Sequence, residues 1–188
     1  MSFNLDLKKV FVQLAGISYN SAEINGPGLR QVYFAQGCPH HCKGCFNPET
    51  WSEFGGKKYS LEFLIKDLEK NYSMLEGITL SGGDPILQYK LFLPLILKAK
   101  ELKLDVWCWT GYTFEELTTF MQTDYELVTF LNNIDVLVDG KFVINKAVKN
   151  LKTLEEQEKY KLRGSTNQRI IDVKQSLKQN KVILYKFN

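Results

Sequence analysis

The sequence predicts an α/β protein built on a largely parallel sheet, and two observations carry that prediction. First, short apolar and β-branched segments typical of strands alternate with segments whose apolar residues recur at helical spacing. That alternation favours strand–helix–strand units with parallel strands. Second, 188 residues hold about five or six such units, fewer than the eight of a closed barrel. We therefore expect one domain, residues 1–188, built around an incomplete sheet.

The predicted elements follow one another along the chain. The predicted strands are 10–18, 31–35, 77–80, 104–111 and 134–140, with a short last strand at 182–185. The predicted helices are 61–71, 88–102, one that begins after Thr113, and 125–131. Ser60 and Thr113 are of the N-cap type, and Pro94 inside the second helix predicts a kink or a late start. The polar segment 146–161 is interpreted as a partly helical surface segment.

Three of the four cysteines lie within eight residues, directly after the second predicted strand. Cys38, Cys42 and Cys45 have the spacing C-x3-C-x2-C. Thiols this close form either a disulfide with one cysteine left over or a set of metal ligands. Cysteine thiolate is the usual ligand of iron–sulfur clusters. Three thiolates on a four-iron cluster would leave one iron open to a small molecule.

A structural zinc site is the alternative for this loop, with the three cysteines joined by His40 or His41. Zinc ligands usually come in separated pairs, whereas all the candidates here lie in one short loop. The fourth cysteine, Cys108, is far away in the sequence. We expect it to be a buried structural thiol, because free cysteines are often buried.

A second informative stretch, Gly82-Gly83-Asp84-Pro85, follows the third predicted strand. Two glycines allow positive φ angles and a close approach of the backbone to a ligand. A Gly-Gly pair also suits an ordinary turn from strand to helix. The position at a strand end, after the cysteine loop, favours a binding role.

The cysteine spacing resembles the signature of the radical S-adenosylmethionine (SAM) enzymes. Further stretches resemble, more specifically, the activating proteins of anaerobic (class III) ribonucleoside-triphosphate reductases. These stretches are Asn25-Gly26-Pro27-Gly28-Leu29-Arg30, residues 45–51, residues 138–142 and residues 162–170. Most radical SAM enzymes carry an aromatic residue before the third cysteine. Here Gly44 stands at that position and Phe46 follows the cysteine, as in the activase branch.

The resemblance implies an open partial (β/α) barrel of the radical SAM type and an oxidoreductase. Cys38, Cys42 and Cys45 would hold a [4Fe–4S] cluster, whose open iron would bind SAM. Reductive cleavage of SAM would give a 5′-deoxyadenosyl radical, which would generate a glycyl radical on the reductase. The implied SAM contacts are Gly44, Cys45, Phe46, Gly82, Gly83, Asp84 and Pro85.

The resemblance also implies two protein partners, the anaerobic ribonucleoside-triphosphate reductase and a flavodoxin-type electron donor. The alternatives are an activase of another glycyl radical enzyme or another small radical SAM enzyme. Residues 47–51 and 164–169 favour the reductase activase. Segment 162–173 is rich in hydrogen-bond donors, and the fork of Arg163 or Arg169 suits a carboxylate. Asp139, at a strand end, either faces the site or caps a turn.

The net charge of +3 is unevenly distributed. Residues 146–188 carry eleven Lys and Arg against four Asp and Glu. This basic segment is either a solvated face or a surface that binds a nucleotide or docks a partner. Most of its lysines are not interleaved with aromatic residues, which disfavours nucleic acid. No apolar run reaches the roughly 20 residues needed to cross a bilayer, and the N-terminus does not resemble a secretory signal. We therefore expect a cytoplasmic protein with neither a membrane nor a nucleic-acid partner.

Overall fold

The computed structural model describes residues 6–187, and a single seven-stranded sheet runs through them. The strands are β1 (Phe11–Ala22), β2 (Leu29–Ala35), β3 (Lys57–Ser60), β4 (Gly77–Gly82), β5 (Asp105–Trp109), β6 (Val136–Asp139) and β7 (Arg169–Asp172). The helices are α1 (Leu61–Asn71), α2 (Tyr89–Glu101), α3 (Phe114–Phe120), α4 (Tyr125–Asn132), α5 (Leu154–Lys159) and α6 (Val173–Gln179). Short 3-10 turns occupy 48–50, 72–74, 85–88, 144–146 and 148–150.

The centre of the sheet is parallel. Strands β2, β4, β5 and β6 are paired in parallel, in the sheet order β3-β1-β2-β4-β5-β6-β7. Strands β1, β3 and β7 add antiparallel pairs at the two sides. Among the described residues the sheet stays open between β3 and β7. The predicted α/β fold, an open partial barrel, is therefore confirmed, and the carboxyl ends of its four parallel strands meet at one edge.

The central strands are buried on both faces. Successive side chains of a strand point to opposite sides of the sheet, and both sets are covered here. On β5, Val106 and Cys108 belong to a large core shared with α1, α2 and α4. Trp107, between them, packs on the other face with Val136, Val138 and Ile170. The ring of Tyr185 covers this second cluster at 5.3 Å from the Trp107 ring. Burial on both faces explains why β5 is apolar through 106–109 and β6 through 136–138.

Most helix boundaries agree with the sequence prediction. The Ser60 hydroxyl accepts from the Phe63 amide at 3.2 Å, and Thr113 forms a capping box with Glu116. Helix α2 begins at Tyr89, so Pro94 lies inside it without delaying its start. None of the described helices combines the length and the apolar character needed to cross a bilayer.

Three elements were not predicted, β3, β7 and α6. The proposed last strand at 182–185 is reduced to a single bridge between Ile171 and Leu184. A hydrogen bond of 2.9 Å from the Tyr185 amide to the Ile170 carbonyl adds to it. The chain after α6 thus lies along β7 without forming a regular strand.

Candidate iron–sulfur and cofactor site

A cleft of about 460 Å³ lies at the carboxyl edge of the parallel strands. Each of the loops that follow β2, β4, β5 and β6 contributes to its lining. Cys38, Cys42 and Cys45 line it together, and all three are free, partly exposed thiols. Burial raises the pKa of the Cys38 thiol and so favours its protonated form. A bound metal would reverse this, because a thiol that coordinates a metal loses its proton.

The donor set fits a cubane cluster, in which each thiolate binds a separate iron. Within residues 6–187, no three His, Cys, Asp or Glu side chains converge on one point as ligands of a single metal ion would. Three sulfurs on a cluster do not need to meet at one point. The three-cysteine loop is therefore chemically suited to an iron–sulfur cluster.

The cysteine loop is held by the stretch that follows it. The Gly37 amide donates to the Thr50 carbonyl at 2.8 Å, and the Cys38 amide to the Trp51 carbonyl at 3.1 Å. The Asn47 amide points at the Cys45 sulfur, 3.4 Å away. Hydrogen bonds to a ligating sulfur tune a cluster. Residues 47–51, which carried part of the family resemblance, thus hold the loop that carries the predicted ligands.

The Gly-Gly turn after β4 packs directly on the start of the cysteine loop. The Gly83 amide donates to the Ala35 carbonyl, and the Asp84 amide to the Gly37 carbonyl, both at 2.8 Å. A Cβ on Gly83 would lie 2.2 Å from the Gly37 oxygen, and Gly82 has a φ of +93°. Only glycine permits this close approach of two backbones. Gly82 and Gly83 both line the cleft.

The Asp84 carboxylate is completely buried and accepts hydrogen bonds from four groups. The donors are His40 Nε2 at 2.7 Å, Thr110 Oγ1 at 2.9 Å, the Gly111 amide at 2.9 Å and the Ile86 amide at 3.0 Å. Four donors satisfy a buried carboxylate. This network could not be predicted from residue spacing, because its members lie on three separate loops.

The predicted SAM contacts divide into two groups. Cys45, Phe46, Gly82 and Gly83 line the cleft. Gly44, Asp84 and Pro85 are next to them in the chain without lining it. The roles of all seven as SAM contacts stay predictions.

The opposite wall of the cleft comes from the donor-rich stretch before β7. Gln168 Oε1 accepts from the amides of Gly164 at 2.8 Å and Ser165 at 3.1 Å, while its Nε2 donates to the Gly140 carbonyl at 2.8 Å. Trp109 Nε1 donates to the Leu162 carbonyl at 3.2 Å. These side chains fix the turn and join it to the ends of β5 and β6.

Arg163 lines the cleft and has an unsatisfied donor. One of its terminal nitrogens donates to the Lys159 carbonyl, and its guanidinium lies 4.7 Å from the centre of the Tyr160 ring. Its buried Nε has no hydrogen-bond partner among the described residues. Burial lowers the pKa of Arg163. A carboxylate in the cleft would pair with the guanidinium of Arg163, whose fork geometry suits it.

Arg169 and Asp139, by contrast, bind each other beside the cleft. Arg169 Nε donates to Asp139 Oδ1 at 3.0 Å, and its fork reaches Glu115 at 2.9 and 2.7 Å. Asp139 is buried and also accepts from the Phe114 amide at 2.8 Å, at the start of α3. Of the two roles open for Asp139, the structure shows the capping one. These carboxylates raise the pKa of Arg169.

Cys108 is completely buried in the helix-side core, as predicted. Burial raises the pKa of its thiol well above the ordinary value. It lies apart from the residues that line the cleft. The partly exposed cysteines are therefore the three on the loop.

Comparisons with known proteins agree with this site. The family described as "4Fe-4S single cluster domain" matches residues 24–171. An anaerobic ribonucleoside-triphosphate reductase-activating protein from Vibrio cholerae is 40% identical over 152 residues, which cover 77% of this chain and 88% of that protein. The chain belongs to the family of anaerobic ribonucleoside-triphosphate reductase-activating proteins.

Other members of this activating-protein family match over a similar span. The one from Enterobacteria phage T4 is 36% identical over 154 residues, which cover 78% of this chain and 86% of that protein. The one from Haemophilus influenzae is 38% identical over 136 residues, with 69% and 84% covered. Among solved structures, QueE from Escherichia coli aligns with a TM-score of 0.49 and 16% identity, over 60% of this chain and 57% of that one.

Proposed function

We propose that this chain is an iron–sulfur radical SAM activase that generates a glycyl radical on anaerobic ribonucleoside-triphosphate reductase. One observation carries the proposal. In a member of the activating-protein family, the three cysteines of a C-x3-C-x2-C loop are free and line one cleft at the ends of four parallel strands. This is the edge at which open α/β sheets bind ligands.

Cys38, Cys42 and Cys45 would hold the [4Fe–4S] cluster, with one iron free to bind SAM. Bound together, cluster and SAM supply the one-electron chemistry that splits SAM into methionine and a 5′-deoxyadenosyl radical. The protein's own part is to hold the ligands, orient the nucleoside and limit access of water. The buried backbone contacts of residues 35–37 with 82–84 give the cluster side of the cleft a rigid floor.

The proposed SAM contacts lie on two sides of the cleft. The backbone of Gly82 and Gly83 approaches the amino group, in a turn whose shape Asp84 and Pro85 maintain. The backbone at Gly44 and Cys45 and the ring of Phe46 meet the adenine. Phe46 is already positioned by the Phe142 ring, 5.1 Å away. An aromatic ring held in this way offers a face on which a base can stack.

The reductase partner has to present a glycine-bearing segment at the cleft. Ile24 lines the cleft although 78% of its surface is exposed, and Phe46 is exposed as well. Exposed apolar side chains at the mouth of a cleft suit an incoming peptide. A flavodoxin-type donor, which supplies the electron, and a cytoplasmic location complete the proposal.

Anaerobic reconstitution tests this function. The protein is loaded with iron and sulfide, and visible and EPR spectra are recorded before and after SAM is added. Release of 5′-deoxyadenosine is measured under reduction. The proposal expects about four irons per chain, a SAM-dependent change in the EPR spectrum and 5′-deoxyadenosine. Stoichiometric zinc without a cluster signal or SAM cleavage would refute it.

A further inference from the structure

We propose that His40 and Asp84 form one positioning unit. In this unit the Asp84 carboxylate acts through His40 to orient the cluster-binding loop toward the SAM side of the cleft. The inference rests on the proposed function and adds a role that the family resemblance does not assign. The unit acts through hydrogen bonding and packing.

The contact between His40 and Asp84 is short and buried. His40 Nε2 lies 2.7 Å from Asp84 Oδ2, and the two side chains are 4% and 0% exposed. The Asp84 carboxylate already accepts from Thr110, Gly111 and Ile86, and Nε2 completes this set of donors. A hydrogen bond between two buried groups is stronger than an exposed one. The unit is therefore fixed in place.

The Asp84 carboxylate joins three of the four loops that build the cleft. His40 comes from the loop after β2, Asp84 from the turn after β4, and Thr110 and Gly111 from the turn after β5. Without this carboxylate, two hydrogen-bonded links between the first two loops remain: the backbone pairing of 35–37 with 83–84 and the bond from Gln88 Nε2 to the Gln36 carbonyl at 2.9 Å. These links fix the start of the cysteine loop and leave its middle to His40.

The position of the His40 ring is shaped by its neighbours. A Cβ on Gly111 would lie 2.2 Å from His40 Cδ2, so only glycine leaves room for the ring. The Tyr112 ring meets it edge-on at 4.6 Å. The chain thus encloses the imidazole on one side with Asp84 and on the others with Gly111 and Tyr112. A residue packed this closely cannot change rotamer freely.

His40 stands between Cys38 and Cys42 and itself lines the cleft. Fixing its ring fixes the loop segment that carries two of the three ligands. Loss of the ring leaves all three thiols available, so iron still binds. The geometry between the cluster and the Gly82-Gly83 turn is then no longer set. Hence the inference predicts a defect in SAM binding that exceeds any defect in iron content.

The experiment compares His40→Ala, His40→Gln, Asp84→Asn and the double variant His40→Ala/Asp84→Asn. His41→Ala is the matched control, because the neighbouring His41 is exposed and its ring contacts Trp51 at 5.0 Å. Iron content, the dissociation constant of SAM from an EPR titration and the midpoint potential with and without SAM are measured on each reconstituted protein.

We expect His40→Ala and Asp84→Asn each to raise the dissociation constant of SAM about 10- to 100-fold, the range for outer-shell partners of metal sites. Iron content should stay at the wild-type level. The dissociation constant of SAM in the double variant should not exceed that of the more impaired single variant, since the two residues act as a unit. His40→Gln, whose amide can donate to Asp84, should recover part of the affinity, and His41→Ala should bind SAM like wild type.

Equal SAM affinity in His40→Ala and His41→Ala would overturn the inference, as would additive effects in the double variant. Should Asp84→Asn fail to fold, the comparison of His40→Ala with His40→Gln and His41→Ala decides alone. A wild-type protein that neither forms a cluster nor cleaves SAM would instead refute the proposed function. The two failures are therefore distinguishable.

Discussion

The side chain of Ile144 fills the space that a side chain on residue 44 would need. A Cβ on Gly44 would lie 2.5 Å from Ile144 Cδ1, and the φ of Gly44 is +75°. The segment after β6 therefore contacts the cysteine loop between its second and third cysteine. The same segment supplies Phe142, which packs against Phe46. Because residue 44 is a glycine, there is room before the third cysteine for a side chain from the segment that follows β6.

Gly44→Ala should impair the cluster site for two reasons. A left-handed backbone costs a residue with a Cβ about 1–2 kcal/mol, and the new methyl group collides with Ile144. We expect lower iron incorporation and a lower free energy of unfolding, measured by reconstitution and denaturant titration.

Gly16→Ala is the control for the Gly44 substitution, because a Cβ there meets nothing within 4 Å. The double variant Gly44→Ala/Ile144→Ala should recover part of the lost iron. If Gly44→Ala incorporated as much iron as Gly16→Ala, the contact with Ile144 would have no bearing on the site.

Replacing any one of Cys38, Cys42 or Cys45 by alanine should abolish the cluster signal and the release of 5′-deoxyadenosine. Two thiolates cannot hold a cluster that has only three ligands from the protein. Cys108→Ala should keep both and lower the free energy of unfolding by about 1 kcal/mol through a small cavity. Loss of the cluster in Cys108→Ala alone would show that the ligands are assigned wrongly.

Arg163→Ala should weaken SAM but not 5′-methylthioadenosine, which has the nucleoside without the amino-acid carboxylate. A hydrogen bond to a charged group contributes about 1.5–3 kcal/mol, so the dissociation constant of SAM should rise about 10-fold or more. Calorimetric or EPR titration of both ligands measures this difference.

Lys159→Ala is the matched control for Arg163, because Lys159 also lies over the Tyr160 ring, at 5.9 Å, and does not line the cleft. It should bind both ligands as wild type does. An equal loss of SAM and 5′-methylthioadenosine in Arg163→Ala would point to a damaged cleft and would contradict a carboxylate contact.

Arg169→Ala should be strongly destabilising, because it leaves the buried Asp139 carboxylate without its cation. Breaking a fully buried pair on one side costs about 3–5 kcal/mol, and because the Arg169 side chain is 32% exposed, the loss should lie near the lower end of that range. Lys66→Ala, which breaks the exposed pair of Lys66 with Glu62 at 3.0 Å, should cost less than about 1 kcal/mol. Denaturant titration compares the two variants, and equal losses would contradict the structural role of Arg169.

The same ion pairs make stability depend on pH. Arg169 lowers the pKa of Glu115 below its ordinary value of 4.5. Because the unfolded chain then takes up the proton first as the pH falls, the stabilisation is complete above about pH 4.5 and is lost as the pH falls through the lowered value. Arg169→Ala should therefore show a shallower loss of stability below pH 4.5 than wild type.

The sequence predicted those features that depend on a few neighbouring residues. The apolar repeats of α1, the cap at Thr113 and the cysteine spacing each report on a few neighbouring residues. The four-residue β3 begins with two exposed lysines, so it shows no strand pattern. Helix α6 is short and rich in polar residues, and it is fixed by the Asp172 cap and by Ser176, whose hydroxyl bonds the Ile183 amide at 2.8 Å.

The details of the site depend on contacts between distant residues. His40 and Asp84 are 44 positions apart, and Asp139 and Arg169 are 30 apart. Sequence reasoning identified Asp84, from the motif resemblance, and Arg169, from its donor-rich stretch, as candidates for ligand contact. It did not show that each already binds a partner within the chain, because that depends on which strand ends meet. The sheet order supplies this information.

The central claim is that this chain activates a reductase through the cluster on its three-cysteine loop. The most direct test mixes the reconstituted protein with anaerobic ribonucleoside-triphosphate reductase, SAM and a reductant, and records the EPR spectrum. We predict the doublet of a glycyl radical, absent when SAM is omitted and absent with Cys42→Ala. If SAM were cleaved without any doublet, while the Vibrio cholerae relative produced one on the same reductase, the claim would be contradicted.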